Sequence, residues 1–189
     1  MGIEIERKFL VNPRLFQEWL NQDGAKLLST RRLRQGYLAK DPWVRVRILD
    51  DHDALITIKS GGAPVAMEYE YPIPIVDARE MYDRLCKGKL LKTRRRIDCG
   101  GLVWDVDEFH DLPRSHVCNN DHSGISCAWL AEIELKALDQ PFSRPPWAAM
   151  EVTGDARYSN AVLVQRGFPL PMLDHEASMT AGEGDEEIP

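Results

Sequence analysis

The chain has 189 residues, of which 43% are hydrophobic, and this suits one folded domain with a sizeable core. Its formal net charge of −6, with basic segments alternating with acidic ones, argues against nucleic acid as a partner. We find no signal peptide and no apolar run of membrane-spanning length, so we expect a cytoplasmic protein without a membrane partner.

The first predicted element is a β-strand from Ile3 to Val11 in which charged and apolar residues alternate. Successive side chains of a strand project to opposite faces, so Glu4, Glu6 and Lys8 share one face. A single half-exposed strand with a solvated side would give the same pattern. The alternation returns in at least five later segments, however, and we therefore predict a whole sheet with one ionic face.

A helix is predicted next, over 13–22. Asn12 is a suitable N-cap, Pro13 fits the first helical position, and the apolar residues that follow lie on one side.

Three strands follow, over 43–48, 55–59 and 67–71, each with a polar and an apolar face. The first two present mainly cations and the third presents carboxylates. These side chains are Arg45, Arg47, Thr57, Lys59, Glu68 and Glu70.

A helix with an apolar stripe is predicted over 76–86, and three further strands over 92–96, 104–107 and 131–135. The first of these strands is basic on one face and the other two are acidic. The side chains on these faces are Lys92, Arg94, Arg96, Asp105, Asp107, Glu132 and Glu134.

Two regions do not follow this alternation. Residues 110–128 contain three histidines and two cysteines at irregular spacing, which favours a solvent loop over a zinc site and also allows a lid over a binding site. No pair of the four cysteines has metal-site spacing, so reduced thiols are expected. A last helix is predicted over 157–166, and from Met172 the chain is an acidic tail. We therefore predict one domain over 1–170 and a tail over 171–189.

The segregation of charged and apolar residues predicts how the sheet folds. An open sandwich would leave every charged face in bulk solvent. If the sheet instead closes into a barrel with helices packed on its apolar outside, the charged face lines a lumen, which is a binding site by construction.

The charges of this predicted lumen indicate what it can hold. Six cations and eight carboxylates face it, which leaves it near −2 and poorly suited to a bare polyanion. One divalent cation would bring this charge to about zero and a second to about +2, so binding of a phosphate chain is expected to need metal. Clustered oxygen ligands favour Mg²⁺ or Mn²⁺ over zinc.

Six motifs follow one another between Ile3 and about Phe168. They are Glu4-Ile5-Glu6-Arg7-Lys8-Phe9-Leu10-Val11, Arg34-Gln35-Gly36-Tyr37-Leu38, Arg45-Val46-Arg47, Thr57-Ile58-Lys59-Ser60, Lys92-Thr93-Arg94 and Glu151-Val152-Thr153-Gly154-Asp155-Ala156-Arg157-Tyr158. In this order they resemble the CYTH, or triphosphate tunnel metalloenzyme, superfamily, and its short bacterial tripolyphosphatase-like members most closely. The resemblance implies an α+β fold, an eight-stranded antiparallel β-barrel (tunnel) with helices packed on the outside.

The resemblance also implies roles for the lumen residues. The metal-holding carboxylates would be Glu4, Glu6, Glu132 and Glu134. The phosphate clamp would be Lys8, Arg45, Arg47, Lys59, Lys92 and Arg94. Lys8, Glu68 and Glu70 are the catalytic candidates. The two glutamates would complete a second metal site or position water. The alternative is a structural role, in which they pair with lumen arginines and stabilise the empty tunnel.

Five further residues have two interpretations each. Tyr37 is expected to reach the lumen, with barrel packing as the alternative. Arg157 is expected to enter one tunnel end from the C-terminal helix, with a place on the helix surface as the alternative. Arg32, Arg34 and Arg96 would extend the clamp only if no bulge changes their strand parity.

The implied activity is metal-dependent hydrolysis of a triphosphate to a diphosphate and phosphate. Inorganic tripolyphosphate is the first choice, because the short bacterial members that the chain resembles include tripolyphosphatases and because no base-reading pocket is evident. Class IV adenylate cyclase, thiamine or nucleoside triphosphatase and a non-catalytic polyphosphate-binding module stay open as alternatives. The chain has both the cations that binding needs and the carboxylates that hydrolysis also needs, which favours an enzyme. A homodimer is a further expectation.

Overall fold

The computed structural model describes residues 2–22, 25–62, 64–112 and 126–169. The strands of these ranges are β1 (Gly2–Val11), β2 (Lys26–Lys40), β3 (Trp43–Leu49), β4 (Asp53–Gly62), β5 (Val65–Pro72), β6 (Gly88–Cys99), β7 (Leu102–Phe109), β8 (Ser126–Leu135) and β9 (Ala148–Glu151). The helices are α1 (Pro13–Leu20), α2 (Ile75–Glu80) and α3 (Asn160–Arg166), with a π-helical turn Met81–Leu85 after α2 and a 3₁₀ turn Ala156–Tyr158 before α3. None of these helices is long and apolar enough to cross a membrane.

Eight strands form a closed antiparallel barrel in the order β5-β4-β3-β2-β6-β7-β8-β1. The barrel closes where β1 pairs with β5, with Ile3 opposite Met67. The other half of β1 pairs with the short strand β9, with Phe9 opposite Glu151. The predicted eight-stranded barrel is confirmed, and β9 is an addition that the alternation of charges did not indicate.

The strand register brings acids beside bases inside the barrel. Lys8 of β1 lies opposite Glu132 of β8, and Arg94 of β6 lies opposite Asp107 of β7. Directly opposite residues of an antiparallel pair share one face of the sheet. The ionic faces of neighbouring strands therefore join into one lumen surface.

Much of the apolar outer face is covered by the chain itself. On the β1, β7 and β8 side, Phe16 of α1 contacts Trp147 and Trp129 edge to face, at ring-centroid distances of 5.2 and 5.8 Å. On the β3 and β4 side, Ala78 of α2 packs against the buried residue Val46. Burial of these apolar side chains holds the barrel in its closed form.

The helices differ from the prediction at their ends. Asn12 caps α1 as predicted, since its Oδ1 accepts a hydrogen bond from the Leu15 amide at 3.1 Å, but the helix ends at Leu20. The helix predicted over 76–86 is α2 followed by the π-helical turn. The helix predicted over 157–166 is interrupted because Ser159 caps a new helix, α3, through the Val162 amide at 3.3 Å.

One end of the lumen is closed by apolar side chains. The lumen positions at this end are Leu10, Leu90, Phe109 and Leu130, which continue the ionic rows of their strands. They form one buried cluster with Leu163 of α3. The helix α3 therefore caps one end of the tunnel, and at the other end the residues that the structure describes leave a cavity.

Gly88, the first residue of β6, allows this close approach of α3. A Cβ at this position would lie 2.6 Å from Val164 Cγ1. Because a β-branched residue in a helix has essentially one side-chain rotamer, Val164 cannot move aside. We expect Gly88→Ala to lower the free energy of unfolding by about 1–3 kcal/mol in urea titrations. Adding Val164→Ala should recover part of that loss, whereas simple additivity of the two changes would contradict this packing.

The two cysteines whose side chains are described are free thiols, Cys86 and Cys99. Burial raises the pKa of the Cys86 thiol to about 11 and also raises that of Cys99. The zinc and lid interpretations of residues 110–128 fall almost entirely outside the described residues, as does the predicted acidic tail over 171–189. Within that loop region His110 is described, and its Nε2 lies 2.8 Å from Thr93 Oγ1.

Candidate active site

All fourteen predicted lumen residues project into the tunnel, in the alternating rows that the sequence predicts. All six cations contact carboxylates of other strands. The site is therefore a network of ion pairs in which carboxylates of the tunnel neutralise its cations.

The most buried part of this network lies beside the apolar end. Lys92 Nζ is 2.5 Å from Asp107 Oδ2, and each side chain is only 1% exposed. Burial, aided by nearby Arg94, lowers the pKa of Lys92 to about 8 even though Asp107 opposes that shift. Burial acts in the opposite direction on Asp107, but Arg94 and Lys92 hold the pKa of this carboxyl below its usual value. Lys92 is thus a cation that is costly to keep charged without an anion beside it.

Arg94 connects this pair to the neighbouring strands. Its guanidinium contacts Asp107 twice at 2.7 Å, Asp105 at 2.7 Å and Glu132 at 3.0 Å. Glu132 also contacts Lys8 Nζ at 3.0 Å. Despite burial, Lys8 and Arg94 hold the pKa of Glu132 well below its ordinary value. Arg94 therefore links carboxylates of β7 and β8 through one side chain.

On the opposite wall, β3, β4 and β5 hold a second group. Arg45 contacts Glu68 at 3.1 Å, and Arg47 contacts Glu70 as well as Thr57 Oγ1, the latter at 3.1 Å. Thr57 is fully buried and donates a hydrogen bond to Glu70 at 3.0 Å. Burial, together with the nearby charges of Arg45 and Arg94, lowers the pKa of Arg47 to about 9. Two arginines held this close are stable only beside anions.

The open end of the tunnel is acidic. A cavity of about 270 Å³ lies there, and four glutamates line it: Glu4 of β1, Glu68 and Glu70 of β5, and Glu134 of β8. Burial raises the pKa of Glu4 to about 7, and nearby Glu68 and Glu6 add to the shift against the opposing effect of Lys59. Burial and the neighbouring acids likewise raise the pKa of Glu134. This mouth carries more negative charge than its cations neutralise.

Lys59 is the cation of this mouth. Its Nζ lies 2.5 Å from Glu4, 3.4 Å from Glu68 and 3.7 Å from Glu6. The amine therefore sits at the centre of three carboxylates, a position that a metal ion would compete for.

Several buried polar atoms of the lumen have no hydrogen-bond partner among the described residues. They include Arg45 Nε, Arg47 Nε and Gln35 Oε1. Unpaired buried donors are costly, and donors on cations that face a lumen are suited to an anion. Of these three residues, Gln35 was missed at the sequence level. It lies two residues before Tyr37 on the same strand face, and its Nε2 donates to the Tyr37 hydroxyl at 2.8 Å.

Two expected substrate ligands have different positions. Tyr37 lies in the lumen beside Trp43, with ring centroids 5.5 Å apart, and burial raises the pKa of its hydroxyl. Arg157 does not reach the tunnel. Its side chain is 49% exposed and contacts Asp155 at 2.6 Å, because this acid lies only two residues away on the same turn. That position does not support Arg157 as a substrate ligand.

The three arginines proposed to extend the clamp lie on different faces of the sheet. Arg34 points outward, contacts Asp51 and lies over the Tyr82 ring. Arg32 is exposed on the same outer face as Arg34. Only Arg96 has lumen parity, and it contacts Asp105 at 3.1 Å while 56% exposed. The outer two therefore do not belong to the clamp.

The fit of this site to a metal can be judged from its donors. Within the described residues, no three Asp, Glu, His or Cys side chains are arranged to hold an ion. Three of the four carboxylates expected to do so contact cations instead: Glu4 contacts Lys59, Glu6 lies 3.7 Å from Lys59, and Glu132 contacts Lys8 and Arg94. The donor chemistry nevertheless fits Mg²⁺ or Mn²⁺, since every candidate ligand is a carboxylate and the mouth has unneutralised negative charge.

The fold and site together define a class of protein, an antiparallel barrel whose interior is an ionic tunnel. A family model described as the CYTH domain matches residues 2–168. The chain therefore belongs to the CYTH family.

Named relatives agree with this assignment. An inorganic triphosphatase of Acetivibrio thermocellus is 36% identical over 173 residues, 89% of this chain and 97% of that protein. An inorganic triphosphatase of Nitrosomonas europaea is 31% identical over 165 residues, 85% of this chain and 95% of that protein. Among solved structures, an inorganic triphosphatase is 30% identical with a TM-score of 0.55, and the match covers 87% of this chain and 95% of that one.

Proposed function

We propose that the protein is a divalent-metal-dependent hydrolase that converts a triphosphate, inorganic tripolyphosphate first, to diphosphate and phosphate. The observation that carries this proposal is the pair of buried, unpaired donors, Arg45 Nε and Arg47 Nε, in a lumen lined by cations. The names of the two relatives supply the reaction class, inorganic triphosphate hydrolysis.

Binding proceeds by exchange of anions. The clamp cations are now held by acids of the same tunnel, as Arg45 is by Glu68 and Lys92 by Asp107. Phosphate oxygens would take over these contacts and the unpaired donors, and charge-assisted hydrogen bonds to phosphate are strong and directional. The clamp is Lys8, Arg45, Arg47, Lys59, Lys92 and Arg94, with Tyr37 beside it.

The same exchange would free proposed metal ligands, Glu4 from Lys59 and Glu132 from Lys8 and Arg94. We assign Mg²⁺ or Mn²⁺ to Glu4, Glu6, Glu132 and Glu134, at the end of the tunnel where negative charge is in excess. When bound, the metal supplies Lewis-acid neutralisation of the non-bridging phosphate oxygens.

The catalytic roles follow from position. Lys8, between Glu6 and Glu132, would stabilise charge that develops on the phosphoryl group as it leaves. Glu68 and Glu70 face the open cavity and would orient the attacking water in line. Chemistry of this type depends on positioning and needs no covalent nucleophile.

The size of the mouth supports an inorganic substrate. Its cavity of about 270 Å³ is lined by acids and by Ile3, Ile5 and Leu135. Pockets for drug-sized organic ligands are typically about 300–1,000 Å³ and mostly apolar. We also propose cytoplasmic action, consistent with the free thiols of Cys86 and Cys99, and partners limited to the triphosphate, the metal and a second copy of the chain.

The test is phosphate release from tripolyphosphate, ATP and thiamine triphosphate in parallel, with Mg²⁺, with Mn²⁺ and with chelator. We expect metal-dependent release that is fastest for tripolyphosphate. Formation of cyclic AMP from ATP would show that the protein is a cyclase and not a hydrolase. A rise in melting temperature with tripolyphosphate, without turnover of any substrate, would make the protein a binding module.

A further inference from the structure

One outer face of the barrel is apolar, and no other part of the described chain covers it. Five outward side chains of β1 and β5 are between 39% and 73% exposed, and we name this surface the open apolar face: Ile3, Val65, Met67, Tyr69 and Tyr71. The face is continuous, because Ile3 lies opposite Met67 across one strand pair and Tyr69 lies opposite Ile58 across the next.

The open apolar face has no charged residue of its own. Along β5 the acids Glu68 and Glu70 alternate with these apolar residues and point into the lumen. A sheet face that meets solvent normally carries polar side chains. Within the described chain, α1 and α2 cover other parts of the barrel, so nothing described there protects this face.

The area is large for a monomer. The five side chains expose on the order of 500 Å², near the upper end of the roughly 300–600 Å² that the largest apolar patch of a monomer covers. A standard interface needs about 800 Å² per partner, most of it supplied by an apolar core with a polar rim. Tyrosines at its centre are residue types that dominate binding energy. The face therefore has the size and composition of an interface core.

We propose that the open apolar face binds the same face of a second copy, related by a two-fold axis. Two chains of net charge −6 repel each other over most of their surfaces, and an uncharged face is where they can approach without placing like charges together. Two sheets packed face to face at about 10 Å would bury these side chains between the protomers. This inference locates the interface with the second copy named under the proposed function, and it does not depend on the hydrolysis.

The test is sedimentation velocity of the full chain over a range of concentrations. We expect the wild-type protein to be a dimer and Met67→Lys with Tyr69→Lys to weaken it at least about 100-fold, since buried unpaired charges oppose association. The two lysines bring the net charge of each chain closer to zero, so stronger electrostatic repulsion between the two chains cannot explain a loss of the dimer. The matched control is Val76→Lys with Leu85→Lys, which changes residues that are 65% and 61% exposed elsewhere, and it should stay dimeric.

A second experiment distinguishes misfolding of the variant from loss of the dimer interface. The lysine variant is mixed with Met67→Glu/Tyr69→Glu, which is also expected to be monomeric by itself. Opposite charges on facing surfaces should restore a heterodimer, which unfolded chains could not form. A monomeric wild-type protein, a lysine variant as dimeric as the control, or a mixture that stays monomeric would each overturn the proposal.

Discussion

Glu4→Gln and Glu6→Gln are each expected to lower kcat for tripolyphosphate by about 10²–10³-fold, the cost typical of removing one electrostatic contact to a developing charge. Glu4 lines the acidic mouth, where burial raises its pKa to about 7, and Glu6 lies deeper, 3.7 Å from the same Lys59 amine that contacts Glu4. Glutamine keeps the size of the side chain and removes its charge. The measurement is phosphate release against metal concentration at saturating substrate.

The matched control is Glu18→Gln, an exposed glutamate of α1 that pairs with Arg14. Its kcat should stay within about twofold of wild type, since exposed ion pairs contribute little. Tripolyphosphate binding by the Glu4 and Glu6 variants should be weakened less than their turnover, because the clamp cations remain. Full activity in both variants would remove the metal assignment from this end of the tunnel.

Asp107→Asn is expected to lower the free energy of unfolding by about 3–5 kcal/mol, the cost of removing one partner of a buried ion pair. Asp107 contacts Lys92 and receives two contacts from Arg94, and the side chains of Lys92 and Asp107 are each 1% exposed. Burial and Arg94 lower the pKa of Lys92 to about 8 against the opposing effect of Asp107, so removing Asp107 should lower this pKa further and let the lysine lose its proton at a lower pH than in the wild type. The deficit should therefore be smaller above pH 8 than near neutrality. Urea titrations at both values of pH measure it.

The control for this change is Asp53→Asn, which alters a surface ion pair with Arg31 in which the side chains are 67% and 43% exposed. A change below about 1 kcal/mol is expected there. Tripolyphosphate should raise the melting temperature of the Asp107 variant by more than that of wild type, because the released Lys92 and Arg94 gain an anion. Equal ligand effects on the two proteins would show that these cations do not meet the substrate.

The alternation of charge along the strands allowed the tunnel and most of its lining to be predicted. Residues such as Lys8 and Glu132 follow a strict period of two, and in a closed antiparallel barrel this parity alone places them inside. Parity does not specify ion-pair partners, however. That Lys59 contacts Glu4 depends on the closure of the sheet, which places β4 and β1 on the two sides of β5, a long-range relation that no local pattern contains.

The other misses have local causes. Arg157 was expected in the tunnel, but the neighbouring Asp155 holds it at the surface. Arg34 lies one position out of phase with Gln35 and Tyr37, so its side chain is outside. Gln35 itself carries no charge and did not stand out from its motif. The apolar cap by α3 could not be foreseen, because its contacts join positions far apart in the chain, such as Leu10 and Leu163.

The most direct test of the tunnel as a metal-dependent triphosphate site is a crystal structure with tripolyphosphate and Mn²⁺, in which anomalous scattering locates the metal. We expect an anomalous peak among Glu4, Glu6, Glu132 and Glu134, and phosphate density in contact with Arg45, Arg47 and Arg94. Manganese elsewhere on the surface, or phosphate outside the tunnel, would contradict the assignment of both groups.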